Sequence, residues 1–273
     1  MKNKNISFQS NKLLTYLIAK NQPWVNYALA SEALPNSSEG AVLELLGDMT
    51  RRGLLMRVKN GLYYMIPFDQ DPESFMPDWH LLAEPLTKGN NYYVGYYSAL
   101  QIHQLITQPS LTEFIVVNPQ IKPSIIKVKE VRFQFVYHNS KHFFGSKKVW
   151  IDSYNKVYCS DLEKTIVDCL FKPEYSGGIV EIGKALYKAK TNIDFGRLLN
   201  YCKQFGSQAV IKRLGFLLEL LEIDNSIIVK LQKIKANSYI LLDTELPKEG
   251  KKSNRWNIQQ NIDSETIKTA IIT

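Results

Sequence analysis

The sequence predicts an α+β chain in two parts, and three observations carry that prediction. A capped helical segment ends in Thr50-Arg51-Arg52-Gly53 and runs straight into a basic hairpin, Arg57-Val58-Lys59-Asn60-Gly61-Leu62-Tyr63-Tyr64. Asp and Pro then gather over residues 69–78, as in a linker. Beyond them, strand patterns over 112–159 give way to helical patterns over 160–236. A chain of 273 residues with 45% hydrophobic content can bury full cores and suits two domains. The expected bounds are 1–67 for the first domain, 68–78 for the linker and 79–273 for the second domain, a small sheet followed by helices.

In the first part, Leu13, Leu14, Leu17 and Ile18 share one face of a helix over Gln9–Lys20, which Asn21-Gln22-Pro23 ends. Asn26 can cap a short helix, Tyr27–Leu34, and Pro35 forbids its continuation. Asn36 with Glu39 forms a capping-box pattern, so a third helix is predicted over Ser37–Arg52. Its apolar stripe is Val42, Leu45, Leu46 and Met49, at helical spacing. Arg51 and Arg52 suit the negative end of the helix dipole, and Gly53 suits a left-handed cap. Strands Leu54–Val58 and Leu62–Ile66 follow, joined by Lys59-Asn60-Gly61, where Asn and Gly both tolerate positive φ.

In the second part, helices are predicted over Trp79–Lys88 and Gly95–Leu105. Strands are predicted over Thr112–Val117, Val128–His138, Val149–Asp152 and Lys156–Cys159. Ser160 with Glu163 reads as a second capping box, opening a helix to Phe171. Helices over Ile179–Ala189, Asp194–Phe205, Gln208–Leu221 and Ser226–Ala236 precede a last strand, Tyr239–Leu242. The tail from Leu246 is rich in Pro, Gly and Lys around one anchor, Trp256.

The order of three helices and a basic hairpin is that of a winged helix-turn-helix, which addresses duplex DNA. The start of the third helix, Ser37 and Ser38, would reach bases or phosphates. Arg51, Arg52, Arg57 and Lys59 would contact phosphates, with Asn60 and Gly61 at the wing tip. The net charge of +8 suits an acidic partner, and the first 66 residues hold half of it, eight Lys/Arg against four Asp/Glu. The third helix itself carries Glu39, Glu44 and Asp48 and no cation before Arg51. Affinity is therefore expected from the wing and the helix end, and an alternative is a module that binds a protein partner through this same unit.

Other chemistries find little support. Gly178-Ile179-Val180-Glu181-Ile182-Gly183-Lys184 has phosphate-loop spacing, yet Ala185 replaces the hydroxyl that holds magnesium and no strand precedes it. Gly177 and Gly178 mark a turn before an amphipathic helix instead. His138 and His142 lie at a strand end and a turn, and are expected at the surface rather than on a metal. His80 and His103 are expected at the core edge. Cys159, Cys169 and Cys202 are odd in number and widely spaced, so free thiols in a reducing compartment are expected. Asp161 and Glu163 read as first-turn residues favoured by the helix dipole. No strand carries the acidic-x-lysine set of a nuclease, so the chain is expected to be no enzyme, with no cofactor. Residues 1–10 lack an apolar targeting core, which leads to a cytosolic expectation without membrane contact.

Asp161–Leu170 (DLEKTIVDCL), Phe171–Leu186 (FKPEYSGGIVEIGKAL) and Lys212–Glu219 (KRLGFLLE) together resemble the AbiEi-like antitoxins, transcriptional regulators of type IV toxin–antitoxin and phage-defence loci. Tyr96–Leu105 (YYSALQIHQL), the wing ending NGLYY, and the tail order Leu242-Asp243, Leu246-Pro247, Gly250, Arg255-Trp256 extend the resemblance over nearly the whole chain. It implies an N-terminal winged helix that represses its own operon at inverted repeats. It also implies a mixed α/β C-terminal domain that counteracts a nucleotidyltransferase-like toxin. Arg57, Lys59, Asn60 and Gly61 match the family's basic turn, whereas the acidic third helix departs from it.

Overall fold

The computed structural model describes residues 5–106, 108–223 and 226–272; the expected domain ends at 1–4 and 273 lie outside them. The chain separates into two units, Met1–Leu86 and Thr87–Thr273. Residues 68–86, expected as linker and as the start of the second domain, lie within the first unit. Both units mix helices and sheet, so the chain is α+β. Among the described residues no helix is long and apolar enough to cross a membrane.

The first unit contains α1 (Phe8–Ala19), β1 (Trp24–Asn26), α2 (Tyr27–Ala33), α3 (Glu39–Arg51), β2 (Leu55–Lys59) and β3 (Leu62–Met65). Strand β1 was not foreseen, because three residues are too few to show alternation. It pairs antiparallel with β3, which pairs with β2, giving the order β1-β3-β2. One core joins Leu13, Leu14 and Leu17 of α1, Val25, Ala30 and Val42, Leu46, Met49 of α3, with Leu45 partly buried beside them. Asn26 Oδ1 accepts from Leu29 N–H (2.9 Å), the predicted cap of α2. The predicted cap of α3 is corrected: Ser37 N–H donates to Leu34 O (3.0 Å), which closes a turn around Asn36. Ser38 caps the helix instead, its Oγ accepting from Ala41 N–H at 3.3 Å. A 3-10 turn over Trp79–Leu82 and the single-turn α4 (Ala83–Leu86) replace the longer helix predicted there.

The second unit is built on a six-stranded sheet: β4 (Tyr92–Val94), β5 (Thr112–Val117), β6 (Ile125–Val128), β7 (Val131–Tyr137), β8 (Ser146–Trp150) and β9 (Lys156–Ser160). Their order is β6-β7-β5-β4-β9-β8, antiparallel except for β7/β5 and β4/β9. The predicted strand Val128–His138 starts late, because the chain turns at Lys129 (φ 49°) and Val128 pairs back onto Val131. Helices α5 (Tyr96–Ile102), α6 (Leu162–Phe171), α7 (Gly178–Ala189), α8 (Phe195–Phe205), α9 (Gln208–Leu220) and α10 (Ile228–Ile234) supply most of a large apolar core. The lookalike phosphate loop is helix α7, with Gly177 in left-handed geometry as its cap (φ 76°). The tail adds a three-stranded sheet, order β10-β12-β11 (Ile240–Leu241, Ile258–Gln260, Lys251–Ser253), and α11 (Ser264–Ile272).

Candidate nucleic-acid interface

The eight candidate residues lie on α3, on the residues flanking it and on the β2–β3 hairpin, and the structure treats them differently. Arg52 leaves the helix end with φ −78° and ψ −6°, and Gly53 (φ 76°) turns the chain into β2. The Arg52 guanidinium donates to Asn5 O (2.6 Å) and Ser10 Oγ (2.9 Å) and pairs with Asp48 Oδ2 (2.6 Å). It fastens the segment before α1 to the end of α3. Arg51 is 70% exposed, with a looser pair to Asp48 Oδ1 at 3.4 Å.

At the hairpin, Arg57, Asn60 and Gly61 are exposed. Arg57 Nη2 donates to Asn60 Oδ1, which holds the guanidinium at the turn. Lys59 is half-buried, and its Nζ reaches Leu86 O at 3.4 Å. Of the Asn60-Gly61 pair, only Gly61 takes positive φ (72°), and the register slips between Arg57 and Lys59. A bulge therefore replaces the symmetric two-residue turn. Ser37 is half-buried and Ser38 exposed at the opposite end of α3. Thirteen residues of helix place Ser38 and Arg52 about 20 Å apart. Along the outward face of α3 runs a groove of about 330 Å³ lined by Ser37, Glu44, Leu45, Asp48 and Arg51, among others.

In the second unit several residues of the long helical motifs are buried. Lys164 and Asp168, one helical turn apart on α6, form a fully buried ion pair. Lys164 Nζ also donates to Tyr93 Oη (2.9 Å), and Tyr93 Oη donates to Asp168 Oδ2 (2.9 Å). Three rings surround the ammonium, with centroids of Tyr93, Phe144 and Phe205 at 5.2, 5.1 and 5.2 Å. Burial lowers the Lys164 pKa, while Asp168 opposes that shift.

His138 is a correction: it is 2% exposed, not a surface side chain. Its Nδ1 lies 3.3 Å from Tyr93 Oη and its Nε2 2.7 Å from Tyr96 Oη. Burial pushes its pKa down to about 4, so the ring is neutral near pH 7. With Tyr93 donating to Asp168, this network fits a proton on Nδ1 and Nε2 accepting from Tyr96. His142 is half-buried and stacks on Phe205 at 3.8 Å and 6°. These tyrosines, Lys164, Asp168 and His138 are buried, and their bonds tie the sheet to α6.

The second capping box is also corrected. Asp161 caps α6, its Oδ1 accepting from Lys164 N–H (2.8 Å), while Ser160 Oγ bonds Thr165 Oγ1 (2.7 Å). Glu163 points to α8 and accepts from Asp194 N–H at 2.8 Å. Helix α9 receives the tail along one face. Arg213 donates to Leu170, Leu241 and Leu242 carbonyls at 2.7–2.9 Å, and burial pulls its pKa down to about 10, leaving it a cation at neutral pH. Glu219 accepts from Trp256 Nε1 (2.6 Å) and from the Arg255 guanidinium. Asp243 Oδ2 caps α7 from outside the helix, accepting from Ile179 N–H at 2.7 Å. The three cysteines are buried and free, and burial raises each thiol, Cys169 and Cys202 to about 12.

These two units define an α+β chain with a helix-and-hairpin unit ahead of a larger sheet-and-helix unit. No family model matches the chain, and neither does any curated protein. Among solved structures it is similar to the RV2827C protein from Mycobacterium tuberculosis, with a TM-score of 0.69 at 13% identity, over 100% of this chain and 97% of that one. The likeness is one of fold.

Proposed function

We propose that this chain is a DNA-binding transcriptional autorepressor and antitoxin of a type IV-like toxin–antitoxin system. In this reading residues 1–67 are a winged helix-turn-helix, and the larger unit counteracts a nucleotidyltransferase-like toxin. The observation that carries it is the path from α3 through Gly53 into a hairpin whose exposed tip bears Arg57 and Asn60, with β1 completing the sheet. The AbiEi-like order of motifs supports the antitoxin half. Phosphate contacts come from Arg57 and Lys59 at the wing and from exposed Arg51; Arg52 serves the unit's own packing. Ser37 and Ser38 open the helix that faces the groove.

A labelled duplex from upstream of the chain's own operon tests this in a mobility-shift assay. A shift that weakens steeply with salt, and that Arg57→Ala reduces, is expected because phosphate contacts release counterions. Absence of a shift at low salt removes the DNA role. Co-expression with the neighbouring reading frame tests the antitoxin role through rescue of growth.

A second reading rests on the groove beside α3, where Glu44 is exposed and Asp48 is paired with Arg51 and Arg52. An acidic face suits a basic protein partner better than DNA. Retention of a partner by the first unit at physiological salt, without nucleic acid and lost on Glu44→Lys, would favour it.

A further inference from the structure

We propose that the β8–β9 hairpin of the second unit is a separate surface for single-stranded nucleic acid, stacking bases on Trp150 and Tyr158 and pairing phosphates with Lys148 and Lys156. It is independent of the duplex-binding reading, which rests on the other unit.

The register sets the pattern. Lys148 faces Tyr158 and Trp150 faces Lys156 across the antiparallel pair, so all four side chains lie on one face. Cations and rings alternate diagonally, and diagonal neighbours of this kind lie about 7–8 Å apart at the backbone. Trp150 is 60% exposed, Tyr158 43%, and Tyr154 at the connecting turn 89%. Two large aromatics left in water on one strand face, with a third at the adjoining turn, mark a contact surface. Tyr92 meets Tyr158 edge-on at 6.0 Å and steadies it. The turn is closed by Ile151 N–H donating to Asn155 O (3.0 Å).

Charge selects the occupant. Residues 141–158 hold Lys141, Lys147, Lys148 and Lys156 against Asp152 alone. The Asp152 carboxylate already accepts from Tyr154 N–H, Asn155 N–H and Asn155 Nδ2 at 2.7–2.8 Å. Lys156 Nζ rests 4.0 Å from the Trp150 centroid and Lys148 Nζ 5.2 Å from that of Tyr158. An incoming base takes the ring, and its phosphate offers the displaced ammonium a charged partner. Stacking on exposed rings flanked by lysines is how unpaired strands are held without sequence readout. Strand β8 is also a sheet edge, but lysines along an edge discourage a further protein strand from pairing there.

The test uses the full chain with labelled oligouridine and oligothymidine at low salt, read by anisotropy and tryptophan quenching. Both are expected to bind, and a preference between them reports whether the 2′-hydroxyl is sensed. Trp150→Ala and Tyr158→Ala should each weaken binding roughly tenfold. Each of Lys148→Gln and Lys156→Gln should lower the logarithmic salt slope by about 0.7. All four side chains are at the surface, so melting curves should match the parent, and Arg57→Ala should leave single-strand binding unchanged. No binding at low salt overturns the proposal, as does binding that the hairpin variants leave intact. If those variants instead change the mass of the chain in solution, the edge joins copies of the chain and the proposal falls.

Discussion

The indole of Trp256 occupies the space in which a Cβ on Gly215 would stand. Gly215 lies in the middle of α9, where glycine otherwise weakens a helix, so the glycine is there for the ring. With Trp256 Nε1 on Glu219 and Arg213 on Leu241 and Leu242, this close approach seals the tail onto the helical core.

Gly215→Ala should therefore destabilise the second unit although alanine favours helix. Forced overpacking of this kind costs about 1–3 kcal/mol. A urea melt of Gly215→Ala beside Gly196→Ala, whose Cβ would meet only the Asp194 side chain, checks it. Equal midpoints for the two variants would remove the role assigned to Trp256.

The Lys164–Asp168 pair should behave as a unit. Lys164→Met strands a buried carboxylate and should cost about 3–5 kcal/mol, whereas Lys164→Met with Asp168→Leu should recover much of the loss. A double-mutant cycle by chemical denaturation measures the coupling. Additive effects would contradict the buried pair.

Stability of the second unit should fall on acidification through His138. Its folded pKa of about 4 lies below the unfolded value near 6.5, so the unfolded chain binds the proton more readily. The contribution is complete above pH 6.5, declines between 6.5 and 4, and amounts to roughly 3 kcal/mol. Melting temperatures over pH 4–7 should show this slope, and His138→Gln should flatten it.

Arg51 and Arg52 should separate function from packing. Arg52→Ala breaks its bonds to Asn5, Ser10 and Asp48 and should lower the melting temperature of the first unit. Arg51→Ala removes an exposed pair of small worth, leaving stability near the parent while weakening any phosphate contact. Identical behaviour of the two variants would show that their different environments do not matter.

Much of this architecture can be read from local patterns. Asn26 caps α2 as predicted, because a cap involves only near neighbours, whereas Asp194, expected inside α8, stands just before it as its cap. The helical stripe of α3 and the alternation of β7 are likewise local. Strands β1, β4, β11 and β12 span three residues each and show no period, and β1 and β4 take partners from distant segments. Helix α11 was hidden because its apolar face matters only once it packs on α7. A lysine and an aspartate at i,i+4 on the apolar segment Leu162–Phe171 were a visible sign of the buried pair. Nothing local showed that Tyr93 and His138 would close over it.

The sequence by itself determined the order of most helices, where Gly53 and Gly61 turn the chain, and where charge collects in the wing, since propensity and charge act between near neighbours. Tertiary structure alone decided which charges remain for a partner. Arg52 is consumed by Asn5, Ser10 and Asp48, Lys164 and Asp168 neutralise each other, and His138 loses its proton to burial. Meanwhile β9 brings Tyr158 beside Lys148 and Lys156 beside Trp150 in the open. The physical reason is desolvation: a charge is bound internally or left in water according to what the rest of the chain places around it.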